Sequence, residues 1–125
     1  MKRVSNGRLI LHFGDVTDAF FMLNLIKRAS PDEVYNFAAQ SQVAHSFNAV
    51  TSTFETNTLS VWHICEAIMA LNLAYKTRVF HASTSEMYGS HNGKSDGCFD
   101  ESSQFRPMSP YAVSKVAAYQ TCSYY

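Results

Sequence analysis

Tyr111 and Lys115 stand four residues apart, directly behind Ser109-Pro110. On a helix this spacing puts both side chains on one face, where an ammonium stabilises a phenolate and draws the phenol's pKa toward neutrality. Tyr111 could then act as an acid or a base near pH 7. The same spacing also suits two solvated surface side chains, so the pair needs company. Ser83-Thr84-Ser85-Glu86 supplies it with three hydroxyls and one carboxylate just after a β-rich run. Taken alone, that segment reads equally as a serine-rich turn with a solvated glutamate. Together, a tyrosine base, a hydroxyl that can bond the reacting oxygen and a nearby carboxylate form a set able to remove a hydroxyl proton and then move a second proton on the adjacent carbon. Metal chemistry has no such support. The five histidines (12, 45, 63, 81 and 91) form no His-Glu-x-x-His motif and no i, i+4 pair, and Cys65, Cys98 and Cys122 form no Cys-x-x-Cys. Reduced thiols and no metal site are expected.

The elements that must carry these residues follow from periodicity. Arg8–Phe13 is a short β-rich run closed by Gly14-Asp15 and predicts a buried strand. Thr17 or Asp18 caps a following helix through Phe20, Phe21, Leu23, Leu25 and Ile26, with Lys27 and Arg28 where cations suit the helix dipole. Ser30-Pro31-Asp32 breaks it, Glu33–Phe37 makes the second strand, and Ala38–Gln42 is a small polar loop. Asn48 can cap a long helix through Phe54, Leu59, Trp62, Ile64, Cys65, Ile68 and Leu71, and Arg78–Ala82 is the third strand. Residues 83–110 read mostly as loop, after which Ser109-Pro110 starts a helix at Tyr111. Trp62, Phe20 and Phe21 read as core, and His45 and His81 as structural.

Strands alternating with helices predict an α/β fold with a parallel sheet and helices on both faces. In such sheets ligands lie beyond the carboxyl ends of the strands, where Gly14–Asp18, Ala38–Ser41 and Ser83–Gly89 all fall. The chain has 125 residues, ten Lys plus Arg and ten Asp plus Glu, and thus zero formal charge. That is room for one domain and gives no electrostatic footprint for nucleic acid or an anionic membrane. Hydrophobic residues reach 46%, yet no run is long enough to span a bilayer and the N-terminal residues lead into no signal-peptide core, so a cytoplasmic location is expected.

Four ordered blocks also carry a family resemblance: His12–Asp18, Pro31–Ser41, Ala82–Gly89 and Arg106–Lys115. In these the chain resembles the extended short-chain dehydrogenases/reductases that act on nucleotide sugars, and within them the GDP-mannose 4,6-dehydratase branch. Thr84-Ser85-Glu86 and Ala38-Ala39-Gln40-Ser41 resemble that branch, whereas the related dTDP-glucose dehydratases favour Thr-Asp-Glu and a glutamate in the earlier block. The chain departs from the family pattern at Ser60-Val61, where Gly-Thr is usual, and at Ser52, where an aromatic is frequent.

The resemblance implies a partial Rossmann-like doubly wound sheet that binds NADP, with Asp15 and Val16 at the adenine and Phe37, Ala38, Ala39, Gln40 and Ser41 along the cofactor's middle. Lys115 would hold the nicotinamide ribose. Tyr111 would take the proton from the sugar's O4 as hydride leaves C4, and Thr84 would bond the same oxygen. Glu86 would remove the C5 proton and help expel the C6 hydroxyl as water. Hydride would return to C6, giving GDP-4-dehydro-6-deoxy-mannose, a step toward GDP-fucose and other deoxyhexoses. A homo-oligomer is implied for the full-length enzyme. A Gly-rich turn for the pyrophosphate is absent from these 125 residues. The resemblance places it, with the first strands, upstream of Met1 and a substrate domain beyond Tyr125. Residues 1–125 therefore read as a partial NADP-binding domain, an internal fragment expected to repack or be marginally stable and to show no turnover alone. Another dehydratase, an epimerase or a reductase of the same fold, and a non-catalytic truncated copy, are the alternatives.

Overall fold

The computed structural model describes residues 2–4, 9–89 and 98–125. The middle of the loop expected between the third strand and the last helix, with His91, lies outside the described residues.

Two ladders organise the strands. β1 (Lys2–Val4) pairs antiparallel with β2 (Leu9–Leu11). Separately, β3 (Glu33–Asn36) pairs parallel with β4 (Arg78–His81), in a register running from Glu33↔Arg78 to Asn36↔His81. The second ladder is fastened at its base, where Thr77 Oγ1 donates to the Pro31 carbonyl at 2.7 Å and the Arg78 amide to the Asp32 carbonyl at 2.9 Å.

Helix α1 (Ala19–Ala29) begins where the Asp18 carboxylate accepts the amides of Phe20 and Phe21 at 2.9 and 3.0 Å. It ends at Ser30, whose φ of 42° turns the chain left-handed and lets its N–H reach the Ile26 carbonyl at 2.8 Å. The crossover from β3 to β4 is α2 (Val43–Ser46), α3 (Val50–Phe54), a π-helical turn (Glu55–Leu59) and α4 (Ser60–Ala70). Helix α5 (Pro110–Tyr124) starts at Ser109, whose hydroxyl accepts the Ala112 amide at 3.0 Å.

One apolar cluster joins Met22 and Ile26 of α1 to Ile64, Ala67 and Ile68 of α4, with Val34 of β3 packed against it. A second, where α4 meets α5, holds Val61, Cys65 and Ala118, with Cys122 against it. Burial at ~25 cal/mol per Å² of apolar surface is what holds these helices on the sheet.

Four expectations need correction. The Arg8–Phe13 strand is not buried: Leu9, Ile10 and Leu11 are 40–50% exposed and Phe13 is fully exposed. The reason is that β2 joins the local β1 hairpin rather than the parallel ladder, so none of the described helices covers it as α1 and α4 cover β3. Asn48 does not cap a long helix: Ala49 occupies the cap position of α3, and the π turn then interrupts the run. Trp62 and Phe20 are not core. Trp62 sits at the surface against Tyr124 and Tyr125, and Phe20 is exposed on the outer side of α1. Finally, α1 and α4 pack on the face of the sheet that carries Val34, while Tyr35, Phe37 and Phe80 form an exposed aromatic group on the other. The helices of the described part form one layer because α1 packs on α4 and α4 on α5.

Candidate active site

The ends of β3 and β4 and the start of α5 bring the sequence-predicted residues to one end of the parallel ladder. Lys115, on α5, is 3% exposed, and its Nζ donates to the Ala82 carbonyl at 2.8 Å. Burial holds its ammonium below the usual lysine range. Tyr111 lies one turn earlier on α5 and is also buried. Ala82 is followed by Ser83 and by a 3₁₀ turn (Ser85–Tyr88) whose cap is Thr84, its hydroxyl accepting the Glu86 amide at 3.2 Å. Lys115 therefore anchors the strand end from which the hydroxyl–carboxylate segment springs. Glu86 itself is exposed and Thr84 half-buried. Among the described residues no hydrogen bond links Tyr111 to either side chain.

On β3, Asn36 is buried and organises the following loop. Its carbonyl oxygen accepts the Ala38 amide at 3.1 Å while its amide nitrogen faces His81 Nδ1 at 3.3 Å. With Nδ1 accepting, the His81 proton sits on Nε2, a buried atom with no hydrogen-bond partner among the described residues. Burial and the charge of Lys115 push the His81 pKa down to about 4, so the ring is neutral at pH 7. His81 thus joins the end of β4 to Asn36 at the end of β3. His45 is exposed at the end of α2.

The loop from Phe37 to Ser41 is held by a residue that motif reading passed over. Asn57 is fully buried; its Oδ1 accepts the Gln40 amide at 2.8 Å, and its Nδ2 donates to the Gln40 carbonyl at 3.2 Å and to Ser114 Oγ at 3.0 Å. Ser114 Oγ donates in turn to the Tyr111 carbonyl at 2.7 Å, and Thr58 Oγ1 to the Ser114 carbonyl at 2.9 Å. The π turn makes this possible, since its wider winding directs the consecutive Asn57 and Thr58 inward. The loop after β3 and the Tyr111–Lys115 helix are thereby parts of one hydrogen-bonded unit. The available signal was Glu55-Thr56-Asn57-Thr58, four consecutive polar residues between Phe54 and Leu59.

Asp15 lies outside this hydrogen-bonded unit, whereas Val16 lines one cavity with Asn36, Phe37 and Ala38 at the end of β3. Asp15 is exposed at a turn, and the Thr17 amide and hydroxyl, at 2.9 and 2.8 Å, hold its carboxyl below the usual range. Val16 is tied to α4 through its carbonyl, 3.3 Å from His63 Nδ1. Among the described residues no group of three His, Cys, Asp or Glu side chains could hold a metal ion.

The family model for GDP-mannose 4,6-dehydratase matches residues 1–125. The chain belongs to this family. It is 40% identical over 116 residues to a GDP-mannose 4,6-dehydratase of Vibrio cholerae, a match that covers 93% of this chain and 30% of the relative. Its backbone superimposes on that of DesIV, a dTDP-glucose 4,6-dehydratase from Streptomyces venezuelae solved with NAD, at TM-score 0.77 and 31% identity, covering 90% of this chain and 32% of the other. RMD from Pseudomonas aeruginosa, solved with NADPH, superimposes at TM-score 0.78 and 25% identity, covering 91% and 37%. The chain thus spans about a third of the length of the GDP-mannose 4,6-dehydratase and of the solved structures it matches. The partial Rossmann-like fold that the resemblance implied is shown by these neighbours and by the parallel β3–β4 pair.

Proposed function

We propose that the protein containing this chain dehydrates GDP-mannose to GDP-4-dehydro-6-deoxy-mannose with NADP as its resident cofactor. The observation that carries this reading is the buried Lys115, which seats the Tyr111 helix on the strand end leading into Thr84 and Glu86. A buried ammonium has three donors, and Lys115 gives one to a protein acceptor among the described residues, which suits it to a ribose hydroxyl. The loop Phe37–Ser41, fixed by Asn36 and Asn57, would line the cofactor's middle, and Asp15 and Val16 its adenine end. A nicotinamide cofactor, when bound here, accepts a hydride from the substrate and later returns it.

The chain's own residues handle the protons. Tyr111 removes the proton from O4 and Thr84 donates a hydrogen bond to the same oxygen. Once C4 is a ketone the C5 proton is acidic; Glu86 takes it and delivers a proton to the departing C6 hydroxyl, which leaves as water. The exposure of Glu86 agrees with a group that meets a substrate from outside the helical layer.

The test uses the protein at the length its transcript specifies, with GDP-mannose and NADP. Glu86→Gln is expected to abolish water loss while oxidation at C4 persists. A variant that still dehydrates, or a wild-type protein that inverts C4 without losing water, overturns the reading in favour of an epimerase of the same fold. The 125-residue chain alone, without a Gly-rich turn, is expected to show no turnover.

A further inference from the structure

Glu86 and Tyr111 must act on neighbouring carbons, yet they ride on separate elements far apart in sequence. Lys115 pins the segment before Glu86, at Ala82. The segment after it is pinned as well. Tyr88, the last residue of the Glu86 turn, lies against Phe105 with ring centroids 5.2 Å apart, and Phe105 meets Tyr119 of α5 edge-on at 5.1 Å. Phe99 also stacks on Tyr88, at 5.3 Å with ring planes 21° apart. Two backbone contacts reinforce the arrangement. The Arg106 amide donates to the Met87 carbonyl at 2.8 Å, and Gly89, with φ +75°, approaches the Arg106 carbonyl so closely that a Cβ would stand 2.4 Å from its oxygen.

Tyr111, Lys115 and Tyr119 are spaced i, i+4, i+8 on α5 and so form one stripe of that helix. One stripe therefore bears the candidate base, the cation that holds the start of the Glu86 segment, and the ring that holds its end. Tyr119 is 43% exposed and Tyr88 and Phe105 are half-buried. The ladder accordingly lies outside the two apolar clusters, and its contacts join two particular elements rather than filling a core.

We propose that Tyr88, Phe105 and Tyr119 are positioning residues: an aromatic strut that fixes the Glu86 turn relative to Tyr111 for proton removal at C5. This rests on the dehydratase reading. A displacement of the order of 1 Å at a reacting group costs about a hundredfold in rate, so loosening the strut should slow the step that uses Glu86 and leave the step that uses Tyr111 in place.

The experiment compares wild type, Phe105→Leu and Phe105→Tyr in the protein at its transcript length, with two readouts. In amide exchange without substrate, Phe105→Leu should speed the Arg106 and Gly89 amides about tenfold while amides of α4 keep their wild-type rates. With GDP-mannose, the same variant should lose about tenfold or more in water elimination with KM and oxidation at C4 unchanged. Phe105→Tyr, which keeps the ring, should restore both. Equal loss of oxidation and elimination, or unchanged exchange at Arg106 and Gly89, overturns the proposal. If Phe105→Leu does not fold, Tyr119→Leu with Tyr119→Phe as its rescue makes the same comparison. A wild-type protein that does not dehydrate GDP-mannose overturns the dehydratase reading instead, and the exchange rates alone then decide whether the strut exists.

Discussion

The β1–β2 hairpin and the unit formed by β3, the π turn and α5 invert the usual relation between residue type and burial. Leu9, Ile10 and Leu11 are apolar and exposed, whereas Asn57, Ser114 and Thr53 are polar and fully buried. Hydrophobicity along the chain does not by itself decide what is inside. Among the described residues β2 lacks a covering helix, so its apolar side chains contribute little, while Asn57 and Ser114 are buried because each polar atom has a partner. The candidate chemistry belongs to the second region, where geometry is fixed by directed bonds.

Substitutions that exchange the two behaviours should separate the regions sharply. Asn57→Leu strands the Gln40 amide and carbonyl without partners and should remove about 4 kcal/mol of stability, read as a lower urea midpoint at unchanged slope. The next largest effect is one of pH. Because the folded-state pKa of His81 is depressed from its ordinary 6.5 to about 4, the unfolded chain binds more protons than the folded one between those values. Stability should be complete above about pH 6.5 and fall by up to about 3 kcal/mol as the pH drops to 4, and His81→Asn should flatten that slope. Asp18→Ala removes the acceptor for two α1 amides and should cost about 1 kcal/mol, measured by thermal unfolding. Smallest of all, Ile10→Ser in the hairpin should change stability by no more than about 0.5 kcal/mol. A large loss from Ile10→Ser, or none from Asn57→Leu, would break the contrast.

What could be read from sequence divides along the same line. Asp18 before α1 and Ser109-Pro110 before α5 were legible because a cap acts within three residues of itself. β3 and β4 were legible within one residue at their C-terminal ends, since short β-rich runs bounded by turn residues leave few alternatives. The burial of Arg8–Phe13 was not, because a strand's cover is supplied by distant chain and the local pattern is the same with or without it. Nor was the π turn: Asn57 acquires its meaning only when Gln40 and Ser114, remote in sequence, close around it. Of the candidate site, the four blocks gave Thr84, Glu86, Tyr111 and Lys115, and the structure adds that Lys115 bonds Ala82 and that Tyr119 continues its stripe.

The central claim, that this site belongs to a 4,6-dehydratase, is tested most directly by following one hydrogen. The protein, at its transcript length, is given GDP-mannose carrying deuterium at C4, and the product is examined by NMR. The account predicts that water is lost and the deuterium is found at C6, moved within one molecule. Deuterium that remains at C4 or is lost from the sugar, or a product that keeps its C6 hydroxyl, would contradict it.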